Sequence, residues 1–341
     1  MSRALSYLDD NALRRLLPAR SAREGWGTTH RIEVEGVPVF VKIVPVTDLE
    51  RDRAFSTRNH YRLPTYYQYG VGSAGFGAWR EILTHVTTTN WVLADAIETF
   101  PLMYHFRIVP RPRLSDPFGS MGVDEYVRRW NSSKNIARYM EERAHGTHAA
   151  LIFQEQLPHT MWDWLSKHPE DTERLVRQLC DTVTFLREQG IRHFDAHFNN
   201  AMTDGERVYL CDFGLALDAR FDLSARERAF LDEHAHYDLG EVVYSVGWPP
   251  WGWYASLSKS KQAAVARRLG VDEVSPRVLI VGVEDLVGLM PQPLVEAVVR
   301  YRDVIVFMDD FFDTMSANNR KNTPFDDVKL GELLRAAGVN A

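Results

Sequence analysis

The chain has 341 residues, of which 45% are apolar and 25% charged, and its formal net charge is −6. These values are typical of a folded globular protein and exclude a disordered or fibrous chain. The negative charge argues against a protein built mainly to neutralise nucleic-acid phosphates, so we expect no nucleic-acid partner. Cys180 and Cys211, the two cysteines, stand among apolar neighbours, which predicts free thiols in a reducing compartment.

The N-terminal stretch "MSRALSYLDDNALRRLLPAR" carries a charge every few positions and lacks the apolar block of a signal peptide. No window of the sequence approaches the roughly 18 uninterrupted apolar residues that a membrane-spanning helix needs. We therefore expect a cytoplasmic protein without a membrane partner.

The first part of the chain is rich in predicted strands. After a short N-terminal helix, the alternation in "HRIEVEGVPVFVKIV" and the Glu35-Gly36 turn predict a β-hairpin. Residues 56–77 contain clustered glycine, proline and tyrosine and are predicted to be irregular. A helix is predicted to begin at "AWREILTHV", and "FPLMYHFRIVP" and "AALIFQEQL" are predicted strands.

Residues 111–146 have the character of an insertion, and apolar residues at helical spacing predict that most of it forms one amphipathic helix. From about residue 170 onward the pattern is mostly helical. Near the end of the chain, apolar residues follow one face of a long helix at Leu294, Val298, Tyr301, Ile305, Met308, Phe312 and Met315. We expect that stripe to be core.

The stretch "RHFDAHFNNAMTDGERVYLCDFGLA" has two interpretations. His193, Asp195 and His197 alternate, so on a strand they would share a face and could bind zinc or non-haem iron. Three such residues in so short a window arise easily by chance. The second interpretation uses more of the stretch, because Asp195 is followed by Asn200, by a predicted pair of strands and then by Asp212 in an Asp-Phe-Gly sequence.

That second arrangement resembles the catalytic core of the protein-kinase-like superfamily, in which a loop reads H-x-D-x-x-x-x-N and a metal-binding turn reads D-F-G. The resemblance implies an α+β, two-lobed protein-kinase-like fold. The N-lobe, residues 1–154, would hold an antiparallel sheet plus a helix and the insertion 111–146. The mainly helical C-lobe, residues 155–341, would end in a C-terminal helical extension. ATP and Mg²⁺ are the implied cofactors, and a hydroxyl-bearing acceptor is the implied partner.

The resemblance gives the residues of this stretch separate roles. Transfer of a γ-phosphoryl group requires a carboxylate near the attacking hydroxyl and hard oxygen ligands for Mg²⁺. Asp195 would orient or deprotonate the acceptor hydroxyl, Asn200 and Asp212 would hold Mg²⁺, and His193 would be structural. His197 stands where protein-serine/threonine kinases have lysine, as in aminoglycoside and choline phosphotransferases, and would either contact the γ-phosphate or pack.

The family also places a lysine on the third strand of the first lobe, where its ammonium meets the α- and β-phosphates of ATP. Here "VFVKIV" supplies Lys42 on a predicted strand. The glutamate that pairs with this lysine on a helix is expected to be Glu81. Glu50 is the rival, nearer in sequence but in a less convincing helix.

The remaining contacts to the nucleotide follow from the same resemblance. Gly25 and Gly27 match two of the three glycines of a phosphate-binding loop, and His30 stands at the third position. Backbone groups around Glu155 to Leu157 would form hydrogen bonds with the adenine.

The segment between Gly214 and Asp238 is short, lacks an A-P-E motif and contains a single serine or threonine, Ser224. These departures favour a small-molecule or atypical acceptor over a peptide. Asp238 is expected to brace the catalytic loop. A phosphotransferase is the leading hypothesis; the alternatives are a serine/threonine protein kinase proper, a nucleotide-binding pseudokinase or partner-binding scaffold, a nucleotidyl transferase and, last, a metalloenzyme.

Overall fold

The computed structural model describes residues 1–17, 27–111, 122–317 and 321–340. The chain divides into two compact units. The first unit comprises Met1–Leu157, Asp212–Leu231 and Ser316–Asn322, and the second comprises Pro158–Cys211, Asp232–Met315 and Thr323–Ala341. The predicted domain limit at residues 154 and 155 stays a prediction.

The predicted α+β fold class is confirmed, because an antiparallel sheet occurs with many helices. The strands are β1 (Thr28–Val34), β2 (Val37–Val46), β3 (Met103–Pro110), β4 (His148–Glu155), β5 (His159–Thr160), β6 (Ile191–Arg192), β7 (Ala201–Thr203), β8 (Val208–Leu210) and β9 (Leu217–Asp218). The helices are α1 (Ser2–Ser6), α2 (Asp10–Leu16), α3 (Asp48–Asp52), α4 (Ala78–Leu93), α5 (Gly122–Arg129), α6 (Lys134–His145), α7 (Met161–Leu165), α8 (Thr172–Glu188), α9 (Ala225–Asp232), α10 (Tyr237–Tyr244), α11 (Trp248–Ser256), α12 (Lys259–Leu269), α13 (Pro276–Val281), α14 (Gln292–Ala317) and α15 (Asp327–Ala336).

The first unit is built on a four-stranded antiparallel sheet with the strand order β1-β2-β4-β3. The predicted hairpin is present, since β1 and β2 are joined by Glu35 and Gly36, whose φ angles are 52° and 77°. Two residues with positive φ give the turn a twist that matches the flanking strands. The hairpin therefore fixes the position of β2, the strand that carries Lys42.

The two faces of this sheet bury different partners because strand side chains alternate. Val39, Val41 and Ile43 of β2 pack in a cluster with Leu5 and Leu13 of the N-terminal helices. A second cluster lies on the opposite face, where the sheet packs against α4; it consists of Val44, Val46, Ala78, Trp79, Ile82, Ala150 and Ile152. Helix α4 is thereby held beside the strand that carries Lys42.

The prediction of one helix across most of residues 111–146 is wrong. The described residues form two helices, α5 and α6, and Asn131 and Ser132 between them have φ angles of 56° and 52°. Two consecutive residues in the left-handed region end a helix. Apolar residues of both helices nevertheless pack into one hydrophobic cluster.

Residues 56–77 and the helix pair α5–α6 share one hydrophobic core. The cluster comprises Tyr61, Leu63, Tyr67, Ala74, Phe76, Tyr126, Trp130, Ile136, Tyr139 and Met140. Inside it the hydroxyl groups of Tyr67 and Tyr126 form a 2.5 Å hydrogen bond. Residues 56–77 and the helix pair α5–α6, neither of which belongs to the four-stranded sheet, therefore form one substructure of the first unit.

The second unit is mainly helical, as expected, with the short antiparallel strands β5, β7 and β8. In α14, six of the seven predicted stripe residues are buried, while Phe312 is half-buried. Within the described residues neither cysteine forms a disulfide bond; Cys180 is buried and Cys211 is half-buried. No helix among the described residues combines the length and apolar character needed to cross a membrane.

Candidate active site

Lys42 lies in the middle of β2, and its ammonium is held between two carboxylates of the first unit. Its Nζ donates to Oε1 of Glu81 and to Oδ1 of Asp212, both at 2.6 Å. The side chain of Lys42 is 15% exposed, that of Glu81 4% and that of Asp212 40%. Three residues far apart in the chain thus form one charged group with an accessible side at Asp212.

Glu81 and not Glu50 pairs with Lys42. Glu50 is occupied elsewhere: its Oε2 accepts from the backbone of Thr47, and its Oε1 accepts from the backbone N–H of Ala78. The first contact completes a capping box on α3, and the second satisfies an N–H at the start of α4. The rival glutamate therefore has a structural role.

The charges of this group depend on one another. Burial alone would lower the pKa of Lys42, but Asp212 and Glu81 raise it above its ordinary value. Burial raises the pKa of Glu81, and Asp212 adds to that rise while Lys42 opposes it. Lys42 is consequently a firmly protonated cation at neutral pH.

Asp212 stands on a tight turn that presents its carboxylate. Its φ of 64° is in the left-handed region, and its Oδ1 accepts from the backbone N–H of Gly214 at 3.3 Å. The ring of Phe213 is buried, with centroid distances of 4.8 Å to His85 and 6.0 Å to Phe100. The buried ring anchors the turn, and the neighbouring carboxylate stays accessible.

The resemblance assigns Gly25 and Gly27 to a phosphate-binding loop. Gly25 lies outside the described residues. Gly27 lies immediately before β1, and an added Cβ there would overlap the carbonyl oxygen of Ile43 and approach Lys42 Cε. The backbones at Gly27 and Ile43 therefore lie too close together for any residue other than glycine at position 27.

Glu155 and Leu157 lie at the end of β4, in the stretch expected to bind adenine. The N–H of Glu155 donates to the carbonyl of Leu102, and its carboxylate accepts from the N–H of Leu102. The carbonyl of Leu157 accepts from the side-chain amide of Gln156. The N–H of Glu155 is thus already satisfied within the first unit.

In the second unit, Asp195, His197 and Asn200 lie together in the loop between β6 and β7. The amide nitrogen of Asn200 donates to Oδ2 of Asp195 at 2.7 Å and to its carbonyl at 3.0 Å. His197 Nε2 lies 3.5 Å from Asp195 Oδ1, and its ring lies near that of Trp248. The Asp195 carboxylate is therefore oriented by two neighbours, and the Asn200 amide oxygen is left as a potential metal ligand.

Two buried acids of α10 hold this loop. Asp238 accepts from the backbone N–H groups of His193 and Phe194 at 2.7 and 2.8 Å, as expected for a brace. Glu241, which the sequence analysis did not single out, accepts from the N–H of Ala196 at 2.8 Å. Its place one helical turn after Asp238 was the available signal, because residues three apart share a helix face.

Burial raises the pKa of both acids. For Glu241 the effect is large, and the negative charges of Asp195 and Asp238 increase it further. For Asp238, hydrogen bonds from the loop backbone oppose the rise. The carboxyl groups of Glu241 and Asp195 therefore interact, and a negative charge on one disfavours a negative charge on the other.

The interpretation of His193, Asp195 and His197 as a metal-ligand cluster is wrong. No group of three or more histidine, cysteine, aspartate or glutamate side chains converges to hold a metal within the described ranges. His193 is fully buried and its Nε2 lies 3.0 Å from the carbonyl of Cys211. The three residues also belong to a loop and not to a strand.

A magnesium ion that arrives with a nucleotide needs fewer protein ligands. Mg²⁺ commonly takes one or two carboxylates, with water and phosphate oxygens completing its coordination. The exposed Asp212 carboxylate and the Asn200 amide oxygen are hard oxygen ligands of the required kind. Each residue, within its own unit, therefore supplies a donor of the kind that Mg²⁺ prefers.

No family model matches the chain. Among curated proteins it is similar to two named "Probable bifunctional tRNA threonylcarbamoyladenosine biosynthesis protein". The one from Methanosarcina barkeri is 24% identical over 151 residues, 42% of this chain and 28% of the relative. The one from Methanosarcina mazei is 25% identical over 180 residues, 50% of this chain and 31% of the relative. The chain thus spans less than a third of these relatives.

Among solved structures, the chain is similar to "WaaP in complex with acyl carrier protein" at 14% identity and a TM-score of 0.40. The alignment covers 92% of this chain and 95% of that one. A likeness of this degree supports no conclusion about activity.

Proposed function

We propose that the protein is an ATP- and Mg²⁺-dependent phosphotransferase that transfers the γ-phosphate of ATP to a hydroxyl acceptor. The acceptor is a small molecule or an atypical protein substrate. The observation that carries the proposal is the charged group of the first unit, in which Lys42 is held by Glu81 and Asp212 at 2.6 Å. An ammonium placed by a helix glutamate beside an exposed aspartate suits the recognition of nucleotide phosphates.

The first unit supplies the nucleotide side of the reaction. Lys42 would bind the α- and β-phosphates, with Glu81 orienting its ammonium. Gly27 permits close approach of the backbone, and the carbonyl of Glu155 with the backbone at Leu157 would bind the adenine. On the family resemblance, Mg²⁺ would take Asp212 of this unit and Asn200 of the second unit as ligands and would neutralise charge on the phosphates.

The second unit supplies the acceptor side. Asp195 would accept the proton of the acceptor hydroxyl, or orient that hydroxyl, because its carboxylate is held in place by Asn200. His197, within 3.5 Å of the same carboxylate, would contact the γ-phosphate or maintain the position of Asp195. Asp238 and Glu241 keep the loop backbone in the required shape.

The proposal is tested with Asp195→Asn. The asparagine keeps the shape and the contact with Asn200 but removes the proton acceptor, so nucleotide binding should persist. Turnover should fall by about 10²- to 10⁴-fold, the usual contribution of a general base. Asp181→Asn, an exposed position on α8, is the matched control. Unchanged turnover in Asp195→Asn would remove Asp195 from its proposed role.

The acceptor is sought by measuring ATP consumption against hydroxylated metabolites, antibiotics and generic protein substrates, with Asp212→Ala as the blank. The panel includes tRNA because the two curated relatives are named for the biosynthesis of a modified tRNA nucleoside. The product mass distinguishes phosphoryl from nucleotidyl transfer. Nucleotide binding without turnover under any of these conditions would favour the pseudokinase alternative.

A further inference from the structure

A cavity of about 920 Å³ lies within the first unit, apart from the group around Lys42. Three stretches of chain line it: residues 49–66, the turn that begins α6, and residues 222–227 at the start of α9. Lys42, Glu81 and Asp212 are not among its lining residues. It is therefore a concavity separate from that charged group.

The lining of this cavity is positively charged. It contains the four arginines Arg53, Arg58, Arg62 and Arg226. Within the described part of the chain, none of these four forms an ion pair, and all four are exposed. Unpaired guanidinium groups that line one concavity repel one another unless an anion is present.

The acidic residues of the lining do not balance this charge. Of Asp222 and Glu227, the latter is buried and already neutralised, since Arg80 donates to its Oε1 at 2.6 Å and Ser224 to its Oε2 at 2.7 Å. Asp222 is then the one remaining carboxylate in the lining to oppose the four arginines. The cavity is a net cationic site.

The loop that carries Arg58 and Arg62 is held in place by hydrogen bonds. Arg80 Nε donates to the carbonyl of Thr57 at 2.8 Å, and Asn135 of α6 donates to the carbonyl of Arg62 at 2.7 Å. Asn59 exchanges two 2.8 Å hydrogen bonds with the backbone of Leu63. The backbone under the arginines is thus organised before any ligand arrives, which lowers the entropy cost of binding.

We propose that this cavity binds a small molecule through its phosphate groups. The planar guanidinium fork matches phosphate oxygens in charge and geometry. The volume lies within the range of roughly 300–1,000 Å³ typical of small-ligand sites, which favours a small phosphorylated molecule over a nucleic-acid strand. The proposal goes beyond phosphoryl transfer, because it assigns a second site that requires none of the transfer residues.

His60 supplies a reporter inside the cavity lining. Its Nε2 lies 2.8 Å from Ser56 Oγ. Burial lowers the pKa of His60, and the positive charges of Arg53 and Arg58 lower it further, while Glu50 and Asp222 oppose them. A bound phosphate would offset the arginine charges and move this pKa upward.

The experiment is an NMR titration of the histidine ring signals with inorganic pyrophosphate as the probe, His60→Gln identifying the signal. Saturating pyrophosphate should raise the pKa of His60. The double variant Arg58→Gln/Arg62→Gln should weaken binding at least tenfold, because two of the four guanidinium groups are removed. Arg128→Gln, an exposed arginine of α5 paired with Glu125 and outside the cavity, should bind like the unmodified protein.

Several outcomes would overturn the proposal. An unchanged His60 signal, or equal binding by the folded double variant, would remove the cavity as the site. An equal effect of sulfate at matched ionic strength would reduce it to general charge screening. Tighter binding of a single-stranded RNA oligonucleotide would assign the site to nucleic acid. The Asp195→Asn variant should keep this binding, so failure here is distinguishable from failure of the proposed activity.

Discussion

Arg80 and Glu227 form a buried ion pair of 2.6 Å within the first unit, with side chains 1% and 3% exposed. Arg80 directly precedes Glu81 on α4, and Glu227 lies on α9, in the segment that follows the Asp212 turn. The guanidinium also lies over the rings of Phe76 and Phe221, at 5.1 and 5.5 Å. The helix that holds Glu81 is thereby tied to the chain that follows Asp212.

Replacing Arg80 by methionine should destabilise the first unit strongly. Glu227 would remain buried without its cation, and breaking a buried pair from one side costs about 3–5 kcal/mol. Urea unfolding followed by fluorescence measures the change. In Arg80→Met/Glu227→Gln the unpaired charge is gone, so part of the stability should return. A loss below about 1 kcal/mol in the single variant would show that the pair is unimportant.

Replacing Glu81 by glutamine should lower the catalytic efficiency of the proposed phosphotransferase while leaving the fold intact. A hydrogen bond to a charged group contributes about 1.5–3 kcal/mol, so kcat/KM should fall on the order of 10- to 100-fold. Glu33→Gln, at an exposed position of β1, is the matched control. Equal kcat/KM for the two variants in a steady-state assay would argue against a role for Glu81 in orienting Lys42.

Alanine substitutions at Gly75 and Gly72 allow a matched test of the packing against the turn that contains Asp212 and Gly214. Both have positive φ, 81° and 95°, so alanine at either position should cost about 1–2 kcal/mol from the left-handed conformation. A Cβ at Gly75 would also overlap the carbonyl oxygen of Gly214, whereas one at Gly72 meets open space. In chemical unfolding, Gly75→Ala should therefore lose about 1–3 kcal/mol more of the free energy of unfolding than Gly72→Ala does, the usual range for overpacking. Equal losses would contradict this contact.

Glu241→Gln should change the pH dependence of stability. The folded pKa of Glu241 lies well above its ordinary value, with burial as the main cause. The folded state therefore binds the proton more tightly than the unfolded state, and stability falls as pH rises from the unfolded pKa toward the folded one.

Glutamine abolishes that titration and keeps an oxygen for the N–H of Ala196. The melting temperature of Glu241→Gln relative to the unmodified protein should thus rise as the pH increases above about 4, the ordinary pKa of a glutamate. Thermal unfolding across that range measures it. A constant difference would mean that Glu241 titrates normally.

Local sequence determined much of the first unit and the loop chemistry. The Glu35-Gly36 turn and its alternating flanks predict the hairpin, because two-residue turns of positive φ favour glycine. The sequence from Asp195 to Asp212 predicts a loop and a strand pair, and the family resemblance implies a tight turn at Asp212; all three are present. The apolar stripe of α14 likewise predicts a buried face, because helical periodicity is a local property.

Contacts between distant residues required the tertiary structure. The sequence favoured Glu81 over Glu50 but left the rival open, because the choice depends on how α3 caps the start of α4 and on which helix packs beneath β2. It also gave no sign that residues 56–77 and the α5–α6 pair share a core, or that Arg80 meets Glu227, 147 residues away. Local patterns specify turns and faces, but the pairing of buried charges depends on which elements pack together.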